Sequence, residues 1–174
     1  MTGNSAHPVE AAVLLPLYGW PDDPGLIFTE RRADLRRHAG EISFPGGRRD
    51  PGDADLSVTA LREAQEEIGL DPAVVELDEE LPATNTFATG YRIHPFVGRI
   101  PHPRKLDLQP NPGEVETVLT FSLDVLRESY DMRRLVRRGV PIHTPTYEIE
   151  GALIWGATAR ILGELLKRLD QTSA

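Results

Sequence analysis

The chain has no cysteine, which excludes disulfides, thiolate metal sites and a cysteine nucleophile, and leaves nothing that calls for an oxidising compartment. It also lacks a long hydrophobic run: the most apolar stretch, AAVLLPLYGW at residues 11–20, is ten residues with a proline inside, too short to span a bilayer. The opening MTGNSAHPVE has no basic start followed by an apolar segment. Neither export nor a membrane is expected, and the cytoplasm is the predicted location. Positive charge is in the minority, 19 Lys and Arg against 27 Asp and Glu, and the net charge of −8 argues against nucleic acid and anionic membranes as partners. No repeat, linker or low-complexity tract occurs. GRRDPGD carries the two glycines of a P-loop, but Asp53 and Ala54 stand where Lys and Ser/Thr are required, and neither G-x-G-x-x-G nor G-x-S-x-G is present. Nucleotide-kinase, Rossmann and serine-hydrolase readings therefore fall away.

What is present fits a globular chain of 174 residues, with 40% hydrophobic and 26% charged residues. Its length predicts one domain over residues 1–174, with flexible tails at 1–9 and 170–174. Ala11 to Tyr18 and Leu26 to Thr29 read as strands of a hairpin across the loop GWPDDPG. EISFPGG reads as a short strand running into a turn at Pro45-Gly46-Gly47, where glycine permits backbone angles other residues avoid. Leu56 to Ile68 has helix-forming composition, with Asp53 or Asp55 as cap and Gly69 as stop. Beyond it, VVELDEEL, NTFATGY, IHPFVGRI and VPIHTPTYEI read as strands and turns, LDVLRES as a short helix and IWGATARILGELLKRL as a longer amphipathic one. This order predicts an α/β fold in which helices pack on a mixed sheet. The apolar face of the last helix suits either the core of a monomer or the seam of a homodimer.

The 56–68 helix carries an unusual concentration of like charge. At about 100° per residue, Glu63, Glu66 and Glu67 fall on one side, next to an apolar stripe of Leu61, Ala64 and Ile68. Three carboxylates near a helix C-terminus repel one another and oppose the macrodipole. A hard divalent cation, Mg²⁺ or Mn²⁺, would offset that cost through oxygen ligands. A solvated acidic face is the bland alternative, but Arg62 before the first glutamate, the glycines upstream and Gly69 behind make a pattern with several fixed positions.

That pattern resembles the box of the Nudix hydrolase family, G-x5-E-x7-R-E-U-x-E-E-x-G-U with U apolar, whose second half is matched by REAQEEIGL from Arg62 to Leu70. The first half departs: Asp53 stands at the acidic position, and eight residues rather than seven separate it from Arg62. Upstream, TERRADLRRHAGEISFPGG resembles the motif T-x-R-[SA]-x3-R-x3-G-x3-F-P-G-G of coenzyme A pyrophosphatases in this family, matching at Thr29, Arg31, Arg36, Gly40 and Phe44 to Gly47, with Arg32 in place of Ser or Ala. The resemblance implies an α/β/α sandwich and cleavage of coenzyme A, free, oxidised or acylated, to 3',5'-ADP and 4'-phosphopantetheine or its acyl form. It implies that Glu63, Glu66 and Glu67 hold Mg²⁺ or Mn²⁺, that Gly46 or Gly47 adds a main-chain carbonyl and lies against the substrate, and that Arg62 orients a glutamate. The substrate is then a small molecule. Another nucleoside diphosphate derivative such as ADP-ribose, or a Nudix domain that binds a nucleotide as a sensor without cleaving it, are the alternatives.

Six arginines, Arg31, Arg32, Arg36, Arg37, Arg48 and Arg49, concentrate positive charge around the glycines. Arg31 and Arg36 are the ones expected to meet substrate phosphates, and the rest are expected at the surface. Glu114 reads either as a further metal ligand or base, or as an exposed acid entering a strand. His94 reads as packed or surface-exposed, and RRLVRR at 133–138 as the solvated face of a helix or loop that also suits contact with a second subunit.

Overall fold

The computed structural model describes residues 8–34, 40–86, 89–101, 106–137 and 139–172. β1 (Val9–Tyr18) alternates its side chains between two cores: Leu15 and Leu17 face one, Ala12 and Leu14 the other. It turns back into β2 (Gly25–Arg31), but the two strands pair only at Leu17 with Leu26 and Tyr18 with Gly25. β2 then diverges, pairing with β3 (Ile42–Ser43) and with β8 (Val115–Ser122). The position it leaves beside β1 is taken by β4 (Gly46–Arg48), which pairs with Ala11 to Val13. β4 runs by the loop at 49–55 into α1 (Leu56–Ile68).

β1 is also flanked, in parallel, by β7 (Tyr91–Ile100), against which β5 (Glu76–Glu80) and β6 (Thr84–Asn85) pair antiparallel. The sheet is therefore mixed. α1 covers one face through Ala60, Ala64 and Ile68, packed with Ala12, Leu14, Ile27 and Ile100. The other face is covered by α2 (Leu123–Glu128), by α3 (Gly156–Thr172) and by a three-stranded sheet of β9 (Tyr130–Arg137), β10 (Val140–Ile149) and β11 (Ala152–Ile154). Helices thus lie on both faces, the α/β/α arrangement expected.

The signals at the two ends of α1 read correctly. Asp55 caps α1, accepting from the N–H groups of Ser57 and Val58 at 2.9 and 3.1 Å, and Gly69 ends the helix with a left-handed φ of 68°. The segment RRLVRR is a correction: residues 133–137 are strand, paired with β10, and Arg133 is ion-paired with Asp131 and Glu148. Val9 lies at the start of β1 and Asp170 to Thr172 at the end of α3. Phe87 and Ala88 of NTFATGY lie outside the described residues. Among the described residues no helix is long and apolar enough to cross a membrane.

Phe28 is fully buried and stacks on Phe44 with ring centroids 4.6 Å apart, joining β2 to the segment that leads into β4. Phe28→Ala is expected to lower unfolding free energy by about 3–5 kcal/mol, measured by urea denaturation.

Candidate active site

The glycines come first because they decide how closely the helix approaches the sheet. Neither Gly46 nor Gly47 has a positive φ, so the expected turn is instead extended strand. Their lack of a side chain matters for space. A Cβ on Gly46 would lie 2.3 Å from the Ala12 carbonyl oxygen, and one on Gly47 would lie 2.5 Å from the Glu63 carboxyl carbon. Glycine therefore lets β4 pass directly beneath α1, and the Gly46 N–H donates to Glu67 Oε2 at 3.3 Å.

The three glutamates separate into unequal environments. Glu67 is buried, 8% exposed, and its carboxyl is pushed up to about 8, first by burial and then by the charges of Glu63 and Glu114, against partial relief from the Gly46 N–H and Arg31. The Glu63 side chain is 16% exposed and is also raised by burial, with Arg62 opposing the shift. Glu66 is 56% exposed at the rim, where it accepts from Arg62 Nη1 at 3.1 Å. Glu63 and Glu67 thus meet at the glycines, with Glu66 turned to Arg62. Among the described residues no three acidic or histidine side chains converge into a preformed metal cage. Two crowded, poorly solvated carboxylates with a third at the rim still form an oxygen-donor set that suits a hard cation keeping water and phosphate as its other ligands.

Arg62 is the hub. Its Nε and Nη2 each donate to Asp53 at 3.0 Å, Nη1 donates to Glu63 Oε1 at 3.0 Å as well as to Glu66, and Nη2 also reaches the Arg48 carbonyl at 3.1 Å. Asp53, the residue that departs from the box, is buried. It accepts further bonds from Thr59 Oγ1 at 2.8 Å and the Asp50 N–H at 3.0 Å, and the Arg62 guanidinium holds its carboxyl well below the usual range. The extra residue in the spacing is absorbed in the loop before α1, and Asp53 still reaches Arg62.

Other acids and arginines sort by position. Arg31 ends β2, and its charge partly offsets the upward shift of Glu67. Arg36 and Arg37 lie outside the described residues. Arg48 donates to the Tyr91 hydroxyl at 2.6 Å, and Arg49 Nη2 donates to the carbonyls of Asp53 and Ala54 at 3.2 and 3.0 Å. Glu114 sits in the turn before β8, close enough for its charge to raise Glu63 and Glu67; sequence spacing alone had no means of placing it. His94 is clasped between Glu10 at 2.6 Å and Glu80 at 2.7 Å, so it is packed between strands as expected.

Because Glu67 holds its proton more tightly folded than unfolded, the folded protein keeps a proton that the unfolded chain has lost between about pH 4.5 and 8. Stability in metal-free buffer is therefore expected to fall as pH rises through that window. Urea denaturation at several pH values should show this slope for the wild type and a flatter one for Glu67→Gln. A slope that survives the substitution would assign the proton elsewhere.

Three comparisons show what this chain is similar to. A model of the NUDIX domain matches residues 10–139. A protein of Photorhabdus laumondii described as an uncharacterized Nudix hydrolase, NudL, is 37% identical over 172 residues, covering 98% of this chain and 88% of that one. Among solved structures, the Nudix hydrolase RenU of M. smegmatis superposes with a TM-score of 0.59 at 17% identity over 95% of this chain and 86% of its own. The NUDIX domain of Shewanella oneidensis NrtR, complexed with ADP ribose, also gives 0.59, at 15% identity over 93% and 88%. The two structures share the fold, and the family model and the close relative carry the assignment: this chain belongs to the Nudix hydrolase family, whose members act on the pyrophosphate bonds of nucleoside diphosphate derivatives.

Proposed function

We propose that the chain works as one Nudix domain that hydrolyses the pyrophosphate of coenzyme A, or of its oxidised or acylated forms, to 3',5'-ADP and 4'-phosphopantetheine or its acyl form. The observation that carries this reading is the contact between the end of the segment resembling coenzyme A pyrophosphatases and the box, where the Gly46 N–H donates to Glu67 Oε2 at 3.3 Å. In this reading Glu63, Glu66 and Glu67 hold Mg²⁺ or Mn²⁺, and Gly46 or Gly47 adds a main-chain carbonyl while lying against the substrate. A divalent ion held by these carboxylates would supply charge neutralisation at the pyrophosphate and a more acidic water for attack.

The chain's own residues do the positioning. Arg62, fixed by Asp53, keeps the Glu63 carboxyl over Gly47 and tethers Glu66 at the rim. Arg31 and Arg36 offer guanidinium forks to the phosphates, which is why arginine rather than lysine suits these positions. Glu114 brings a further carboxylate to the same place.

The same chemistry on ADP-ribose is the second reading. The NrtR domain binds that ligand on this fold, and a shared fold leaves the rest of the substrate open. Coenzyme A, ADP-ribose and NADH assayed at equal concentration with Mg²⁺, and with EDTA as control, separate the readings. The expected result is 3',5'-ADP and 4'-phosphopantetheine as the fastest products. Faster turnover of ADP-ribose or NADH would leave only the family chemistry, and no turnover of any would point to a nucleotide sensor. Glu67→Gln is expected to lower the rate at least about a hundredfold with unchanged circular dichroism, since even loss of an outer-shell partner costs 10–100-fold.

A further inference from the structure

Arg32 stands where the resembled motif has Ser or Ala, and none of the roles above uses it. Its guanidinium is nonetheless fully engaged. Nε and Nη2 grip the two oxygens of Asp34 at 2.9 and 2.7 Å, and Nη1 donates to the Pro112 carbonyl. An exposed pair such as Arg32–Asp34 contributes little stability by itself. What it does here is orient the fork, because a planar guanidinium held at one edge has its remaining donor aimed in a fixed direction.

That donor meets the turn that carries Glu114. The Arg32 N–H donates to the Glu114 carbonyl at 3.1 Å, so side chain and main chain together bracket Pro112 to Glu114. On the other side the Asn111 N–H donates to the Glu67 carbonyl at 2.8 Å, which anchors the turn to the last turn of α1. Within the turn, Gly113 N–H is taken by Asn111 Oδ1, and the N–H groups of Glu114 and Val115 by the Asn111 carbonyl. The turn is therefore suspended between α1 and Arg32.

We infer that Arg32 is a positioning residue: it fixes the turn 111–114 against the end of β2 so that Glu114 stays at the end of α1, where the Asn111 N–H bonds the Glu67 carbonyl. This rests on the metal-dependent pyrophosphatase reading. Serine or alanine at position 32 would keep the main-chain bond to Glu114 but lose the side-chain reach to Pro112, leaving one of the two bonds from Arg32 to the turn.

The test is Mn²⁺ binding, titrated by electron paramagnetic resonance without substrate, on the wild type, Arg32→Ser, Glu114→Gln and the double variant, with thermal unfolding recorded for each. Arg32→Ser and Glu114→Gln are each expected to weaken Mn²⁺ binding roughly two- to tenfold, the worth of about one hydrogen bond. The double variant is expected to bind no more weakly than Glu114→Gln alone, because Arg32 acts through that residue. Arg32→Lys, which has no fork to hold Asp34 and Pro112 together, is expected to match Arg32→Ser. Two results would overturn the inference: wild-type Mn²⁺ affinity in Arg32→Ser, or a double variant weakened by the product of the two single effects. Glu67→Gln distinguishes this from failure of the underlying reading. If it binds Mn²⁺ as the wild type does, the metal assignment itself falls; if it loses Mn²⁺ while Arg32→Ser keeps it, only the role of Arg32 falls.

Discussion

The guanidinium of Arg62 on the buried carboxylate of Asp53 is the interaction on which the site depends. Asp53 has almost no water, and its charge is met by two donors from Arg62, one from Thr59 and one from the Asp50 main chain. With that edge of the fork fixed, the remaining donors fall on Glu63, Glu66 and the Arg48 carbonyl. One side chain thus joins the loop before α1, the helix itself and β4. Removing Arg62 would leave the buried Asp53 charge without its counterion, the costly way to break an ion pair.

Asp53 and Glu67 show how the same functional group is turned to opposite ends. Both are buried, but Asp53 is surrounded by donors and its carboxyl is held low, whereas Glu67 has one main-chain N–H at 3.3 Å and two neighbouring carboxylates, and is pushed up to about 8. The first is satisfied within the protein. The second is left short of positive charge at a place where β4 has no side chains to fill the space, which supports the metal-binding role proposed for it. The divergence of β2 from β1 makes that place, since it lets β4 in beside β1 directly under the helix.

Much of this was legible in the sequence where the controlling interactions are local. The limits of α1, its Asp55 cap, its glycine stop and its apolar stripe all depend on residues within one or two turns. Even the departure at Asp53 was visible as a spacing, although its meaning was not. The segment 133–137 was misread because its arginines look like a solvated charged face, whereas Arg133 is met by Asp131 and by Glu148 from the paired strand β10. That partner is fifteen residues away, beyond any local pattern.

By itself, then, the sequence determined the helix with its three glutamates, the family and the class of chemistry, because periodicity, capping and motif spacing are properties of contiguous residues. Only the tertiary structure decided that the glutamates are unequal, that Gly46 and Gly47 serve close approach rather than an unusual φ, and that Arg31, Arg32 and Glu114 gather at the end of α1. Burial and the electrostatic shifts that follow from it depend on what packs against a residue. Those neighbours arrive from strands and turns remote in the chain.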